Sequence, residues 1–177
     1  MARSKSGPKE YLFVDGYNII NAWDQLIEKR KASLEEAREA LLEILAEYYH
    51  LTGIEIVVVF DAHLVKGNSG QEYEYKGIRV VFTKENETAD NYIERTLDAL
   101  GKIKKIRVAT SDFLEQQIVL SRGGTRISAR ELEMEILNAR QRMKQKKEAI
   151  NVKNDLFLTR LDEALLEKLV KWKKTKE

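Results

Sequence analysis

Apolar positions along this chain follow two rhythms in turn. Residues 11–14 form a short apolar run that stops at Asp15. Ser33-Leu34-Glu35-Glu36 then has the order of a capping box, in which the serine oxygen and the glutamate carboxylate satisfy each other's exposed backbone N–H groups at a helix start. Leu34, Ala37, Leu41, Leu45 and Tyr48 recur at helical spacing behind it, and Gly53 ends the element. Residues 54–60 are an unbroken, mostly β-branched run, the pattern of a strand covered on both faces. Gly67, Gly70 and Gly77 with Asn68 and Ser69 make residues 64–77 a loop or a hairpin arm, and residues 78–83 the strand that follows.

The second half repeats the alternation. Ala89, Tyr92, Ile93, Thr96, Leu97 and Leu100 mark a helix ending near Gly101, and residues 106–110 a strand. Asp112 with Glu115 opens a short helix to about Leu120, Gly123-Gly124 turns the chain, and residues 125–127 form a last short strand. Ser128-Ala129-Arg130-Glu131 is a second capping box; its helix carries Leu132, Ile136, Ala139 and Met143. After the polar stretch 144–154, a final helix carries Leu158, Leu161, Leu165, Leu169 and Trp172. Trp23 and Trp172 are expected to be packing residues on helices. Strands alternating with helices predict an α/β fold, a mainly parallel sheet with helices on both faces and an extra C-terminal helix. Residues 1–10 read as a polar leader holding the only proline, Pro8, and residues 11–177 as one domain without internal repeats.

Composition narrows the chemistry. A chain of 177 residues can bury a core without staples. It has no cysteine, which excludes disulfides, zinc–thiolate sites, iron–sulfur clusters and a thiol nucleophile. His50 and His63 are the only histidines and read as surface residues, so a metal site here would rest on oxygen donors. The strongest apolar run, 56–60, is far too short to span a bilayer, and a cytoplasmic protein is expected.

The acids fall into a pattern once set on this map. Asp15 follows the first strand, Asp61 the second, Glu85, Glu87 and Asp90 the third, and Asp112 the fourth. Ligands of open α/β sheets bind beyond the carboxyl ends of the strands, so four strands deliver acids to one edge. Gathered carboxylates repel unless a cation neutralises them, and an all-oxygen set suits Mg²⁺ or Mn²⁺. Such ions assist phosphodiester hydrolysis. Each Asp is equally the residue that a helix N-cap prefers, and placement alone leaves both readings open. Two junctions carry more than a cap needs: Gly16 follows Asp15 directly, with Asn18 beyond it, and Thr110-Ser111 put two hydroxyls beside Asp112.

The segments Val14-Asp15-Gly16-Tyr17-Asn18, Phe60-Asp61, Thr88-Ala89-Asp90-Asn91-Tyr92-Ile93 and Thr110-Ser111-Asp112 together resemble the YacP-like NYN domains of the PIN-like nuclease superfamily, over residues 11–150 or so. The resemblance implies a three-layer α/β/α fold and a Mg²⁺- or Mn²⁺-dependent endoribonuclease. It maps Asp15, Asp90 and Asp112 to metal ligands and Asp61 to a supporting acid, with Asn18 and Ser111 orienting Asp15, water or phosphate. A bacterial branch of the family is similar to a ribosome-associated enzyme that cuts mRNA in the ribosomal A site, which makes mRNA and the ribosome the implied partners; a monomer is favoured, with the sequence leaving oligomeric state open. Many PIN-like proteins have a second acid close to the last one; here Phe113 and Leu114 follow Asp112, so a second ion is not implied. The competing reading from another class is a non-catalytic RNA- or ribosome-binding module on the same fold. A haloacid-dehalogenase phosphatase would need an acid where Tyr17 stands, and a receiver domain an acidic pair at the first strand.

Charge adds candidates for holding RNA. The whole chain has 31 Lys+Arg against 29 Asp+Glu, a near balance that hides an asymmetry. Residues 140–177 hold 12 basic against 6 acidic residues, which leaves residues 1–139 net acidic. Lys171, Lys173 and Lys174 lie in this basic end and suit RNA or ribosome contact as well as a solvated tail. Arg122, Arg126 and Arg130 flank the Gly123-Gly124 turn and can clamp a phosphate. Lys66 sits in the middle loop with Tyr73 and Tyr75, which either stack on bases or cover the sheet edge.

Overall fold

The first apolar run becomes strand β1, Glu10–Asp15, in the computed structural model, which describes residues 10–62, 67, 70–100, 105–111 and 124–174. β1 pairs in parallel with β2 (Glu55–Phe60) on one side and β5 (Lys105–Ala109) on the other. β4 (Ile78–Phe82) extends the sheet beyond β2, and β6 (Thr125–Ile127) beyond β5, both parallel. β3 (Glu72–Tyr75) pairs antiparallel with β4 and completes the order β3-β4-β2-β1-β5-β6. The hairpin arm expected in 64–77 is therefore a strand. It is joined to β4 by Lys76 and Gly77, both at positive φ (47° and 92°), which matches the turn to the twist of the two strands.

The chain moves outward from β1 to β2 and β4, then returns to the other flank of β1 with β5. That reversal makes the carboxyl end of β1 the switch point where such sheets bind ligands. Helices cover the sheet. α1 (Gly16–Ala22), α2 (Asp24–Ala32) and α3 (Leu34–Thr52) follow β1, and α4 (Ala89–Leu100) follows β4. Ala89, Ile93 and Leu97 of α4 bury Phe13, Val57, Val59, Val81 and Val108 on one face. Strand alternation turns Leu12, Val14, Val58, Phe60, Val80 and Phe82, all buried, to the other.

Local signals behave as the pattern predicts at α3. Ser33 Oγ accepts from the N–H groups of Glu35 (3.2 Å) and Glu36 (3.4 Å), and Gly53 caps the far end at φ 73°. The second capping box is reciprocal: Ser128 N–H donates to Glu131 Oε2 at 2.7 Å, and Glu131 N–H to Ser128 Oγ at 3.2 Å. It opens α5, Ala129–Lys174. Here the sequence reading needs correction, because one helix runs through the polar stretch 144–154 expected to lie between two. Lys, Gln and Glu are good helix formers, and a polar stretch without Gly or Pro does not break a helix. Tyr48 Oη donates to Glu135 Oε2 at 2.9 Å and Arg107 Nη1 to the same oxygen at 2.9 Å, which ties the start of α5 to α3 and β5.

α2 was invisible to periodicity, since Leu26 is its buried residue and its signal is charge alone: Asp24 in the first turn, Lys29, Arg30 and Lys31 in the last. Trp23 is a second correction. It is not on a helix but joins α1 to α2 in extended backbone, 1% exposed, and its indole N–H donates to the Ala129 carbonyl at 2.8 Å. Trp23→Phe is expected to cost about 1–2 kcal/mol, because it removes that buried hydrogen bond; urea unfolding at constant m-value checks it.

Contacts within the chain group into two compact units, Met1–Leu137 and Asn138–Glu177. The sheet and its layers belong to the first. The second is helical to Lys174, and its described side chains are largely exposed. No helix among the described residues is long and apolar enough to cross a membrane.

Candidate active site

β1 ends on Asp15, which caps α1: its Oδ1 accepts from Asn18 N–H at 3.2 Å. The glycine after it is there for room, not for a turn. Gly16 does not have positive φ, but a Cβ built on it would lie 2.2 Å from Phe60 Cε1. The backbone that carries Asp15 therefore rests against the last residue of β2, and the acid is held at the sheet edge by the aromatic core beneath it.

Asn18 does two jobs from one position. Its N–H holds Asp15, and its side-chain Oδ1 accepts from Ser111 N–H at 2.7 Å. The second bond ties the turn after β1 to the segment after β5, across the switch point. Thr110 continues the β5–β6 pairing by donating its N–H to Ile127 O at 3.1 Å, and is itself fully buried. Ser111 thus reaches the edge on a fixed backbone.

Asp61 follows β2 and bonds forward by 28 residues: its Oδ1 accepts from Ala89 N–H at 2.6 Å, the first residue of α4. Thr88 Oγ1 accepts from Asn91 N–H at 3.2 Å and caps the same helix. Together they fix the first turn of α4, on which Asp90 stands. Among the other acids near this strand end, Glu87 is engaged elsewhere, accepting from Lys84 N–H and pairing with Arg95 at 2.8 Å.

The three acids share one field. Burial pushes the Asp15 carboxyl from its ordinary range up to about 7, Asp90 and Asp61 add repulsion, and the N–H groups of Asn18 and Tyr17 only partly offset these. A carboxyl in that condition takes up either a proton or a cation. The charged groups that act on it among the described residues, Asp61 and Asp90, are carboxylates, so the donor set fits a hard divalent ion such as Mg²⁺ or Mn²⁺. No three acidic or histidine residues among the described ones form a complete ligand cluster by themselves. Asp112, the third ligand implied by the resemblance, lies outside the described residues, as do His63, Lys66, Arg122 and the short helix expected over 112–120.

Of the cationic candidates, Arg126 lies exposed in β6 and Arg130 exposed in the first turn of α5, following the carboxyl end of β6. Lys171, Lys173 and Lys174 fall in the second unit, in the last turn of α5. The sequence reading passed over Arg38 of α3, whose Nη1 donates to Tyr17 Oη at 3.2 Å. Its signal was faint: one Arg on a helix rich in charges, without the glycines or hydroxyls that mark a loop site. Tyr75 settles part of the middle loop, since its hydroxyl bonds Glu43 of α3, whereas Tyr73 stays 42% exposed.

Comparison with known proteins agrees with this fold. The family model of the YacP-like NYN domain matches residues 12–174. The protein YacP of Bacillus subtilis (strain 168) is 42% identical over 166 residues, which is 93% of this chain and 97% of that one. A crystal structure of Rae1 (YacP) from Bacillus subtilis superposes with a TM-score of 0.68 at 42% identity, covering 93% of this chain and 94% of the other. The structure of a point mutant of the same protein gives a TM-score of 0.70 at 43% identity over 80% of this chain and 84% of the other. A six-stranded, mostly parallel sheet with strand-end acids, a matching family model over most of the length and relatives at this identity lead to one conclusion: the chain belongs to the YacP-like NYN domain family, a branch of the PIN-like nucleases.

Proposed function

We propose that this chain is a Mg²⁺- or Mn²⁺-dependent endoribonuclease of the cytoplasm that cuts mRNA in the ribosomal A site. The observation that carries the reading is Asp15, half-buried at the switch point with its carboxyl raised to about 7 in the field of Asp61 and Asp90. That arrangement is costly without a cation, and it stands where sheets of this kind bind ligands.

Asp15, Asp90 and Asp112 would hold the ion. Bound there, it would supply charge for the phosphate and a water of lowered pKa. The remaining work belongs to the chain. Asp61 fixes the first turn of α4, on which Asp90 stands, and the Asp90 charge acts on Asp15. Asn18 and Ser111 hold the two edge segments together and offer polar groups to water or phosphate. Hydrolysis with water attacking in line would leave a 5′-phosphate and a 3′-hydroxyl. The basic surplus of residues 140–177, with Lys171, Lys173 and Lys174, supports contact with RNA or the ribosome, and Arg126 and Arg130 support a phosphate grip near the sheet edge.

Cleavage of translated and of free mRNA, each with Mg²⁺ and with EDTA, tests the reading. Cuts that need both translation and the ion, with 5′-phosphate ends, are expected. Ribosome binding that survives EDTA without any cleavage would replace the enzyme by a non-catalytic binding module. Asn18→Ala probes the edge: it removes the acceptor of Ser111 N–H but leaves the Asn18 N–H on Asp15. Cleavage is expected to fall about ten- to a hundredfold through loss of positioning, while stability drops by only about 1 kcal/mol. Single-turnover rates beside thermal melts separate the two effects.

A further inference from the structure

The carboxyl edge of the sheet carries a second feature beside the acids. Tyr17, two residues after Asp15, packs its ring 5.0 Å from that of Phe60. Phe60 stacks on Phe82 at 5.4 Å and 26°, and Phe82 on Tyr73 at 6.4 Å and 21°. The Arg38 guanidinium lies over this row, bonded to Tyr17 Oη and centred 5.9 Å from the Phe82 ring. A cavity of about 120 Å³ opens where Arg38, Tyr73 and Phe82 meet, with Glu35, Glu39 and Leu42 of α3 around it.

The lining selects its occupant. Arg38 and the part-exposed Tyr73, packed on the buried Phe82, are planar groups that suit a planar ring. The two carboxylates outnumber the single guanidinium; this disfavours a phosphate, and the carboxylate oxygens can accept hydrogen bonds from amino groups. The row is continuous with Asp15 through Tyr17, and Asp61 also acts on the Tyr17 hydroxyl. What sits in the cavity is therefore on the same edge as the acids.

We propose that this cavity is a nucleobase subsite: it takes one unpaired base of single-stranded RNA that bears an exocyclic amino group, stacked against Tyr73 and Arg38, with Glu35 or Glu39 accepting hydrogen bonds from the amino group. The subsite deepens the nuclease reading and rests on it. Tyr73 supplies the exposed stacking face, Arg38 a planar cation in the same lining, and the glutamates the discrimination against uracil, which offers no amino group. Tyr17 acts through Arg38 and is a positioning residue.

The test uses the full chain in EDTA, with fluorescence anisotropy on short labelled oligoadenylate, oligocytidylate, oligouridylate and an abasic oligomer. Oligoadenylate and oligocytidylate should bind at least several-fold more tightly than oligouridylate, and the abasic strand most weakly. Tyr73→Ala and Arg38→Ala should each weaken oligoadenylate binding about 5- to 100-fold, the range that one stacked base carries. Tyr73→Phe should retain the affinity. Arg38→Lys should not, because the lysine keeps the charge and loses the planar face. Joint Glu35→Gln and Glu39→Gln should reduce the preference for amino-bearing bases. Unchanged affinity in both alanine variants, equal binding of the abasic strand, or no measurable RNA binding by the parent chain overturns the subsite. Cleavage with Mg²⁺ is scored separately: a chain that cuts RNA while Tyr73→Ala and Arg38→Ala bind normally keeps the nuclease and loses the subsite. A chain whose binding needs both residues but that cuts nothing does the reverse.

Discussion

Asp15→Asn is expected to abolish cleavage, by roughly a thousandfold or more, and yet to give a more stable protein in EDTA at pH 8. Both effects come from the same burial. The Asp15 carboxyl titrates near 7 in the folded chain and near 3.8 when unfolded. Below about pH 4 both states hold the proton and the residue contributes nothing to pH dependence. From there to about 7 the folded state alone keeps it, so rising pH draws the chain toward the unfolded state. Above about 7 both states are ionised and the loss is complete, on the order of 4 kcal/mol. Asparagine keeps an oxygen to accept from Asn18 N–H and carries no charge, so the variant should lack this component. Melting the parent and the variant in EDTA from pH 5 to 8 isolates it, because other titrating groups are common to both. The parent should weaken relative to the variant as pH rises, and Mg²⁺ should restore the parent alone. Parallel curves for the two proteins would remove Asp15 from the metal site, as would an active Asp15→Asn enzyme.

Gly16→Ala should be nearly as damaging by a route that involves no charge. The added methyl would lie 2.2, 2.5 and 2.8 Å from Cε1, Cδ1 and Cζ of Phe60. Phe60 is fully buried, stacked on Phe82 and flanked by Tyr17, so its ring has little room to yield. Overpacking of this kind costs about 1–3 kcal/mol, and contacts this short point to the upper part of that range. The strain falls on the residue next to Asp15, so cleavage should drop even at temperatures where the variant is folded. Phe60→Leu should recover part of the stability in the double variant, because it removes Cε1 and Cζ, two of the three clashing atoms, and lets the remaining δ-carbon rotate away. Denaturant unfolding of the four proteins of that cycle gives the coupling directly; additive effects would mean that the ring is not what excludes the methyl.

Much of this molecule is written locally. The capping boxes at Ser33 and Ser128 form as their spacing requires, since the bonds they make are satisfied within one turn. Runs such as 54–60 become central strands because a residue apolar on both faces has nowhere else to go. The local rules failed where burial is not periodic. α2 hides a single leucine, and only its terminal charges announce it. The stretch 144–154 is polar yet helical, because its Lys, Gln and Glu are good helix formers and polarity alone does not end a helix.

The candidate site divides along the same line. The order of strands and acids along the chain placed Asp15, Asp61 and Asp90 at strand ends, because an α/β alternation dictates which end of each strand meets the next helix. Tertiary structure alone decided what each then does. Asp61 spends an oxygen on Ala89 N–H, 28 residues away, and Asn18 reaches Ser111 across 93. Gly16 owes its identity to a ring 44 positions on, and Arg38 meets Phe82 only because α3 returns over β4. The sequence carries elements and their order through short-range periodicity and capping. Protonation, close approach and cross-strand bonds depend on which distant groups exclude water together, and that is settled only when the sheet closes.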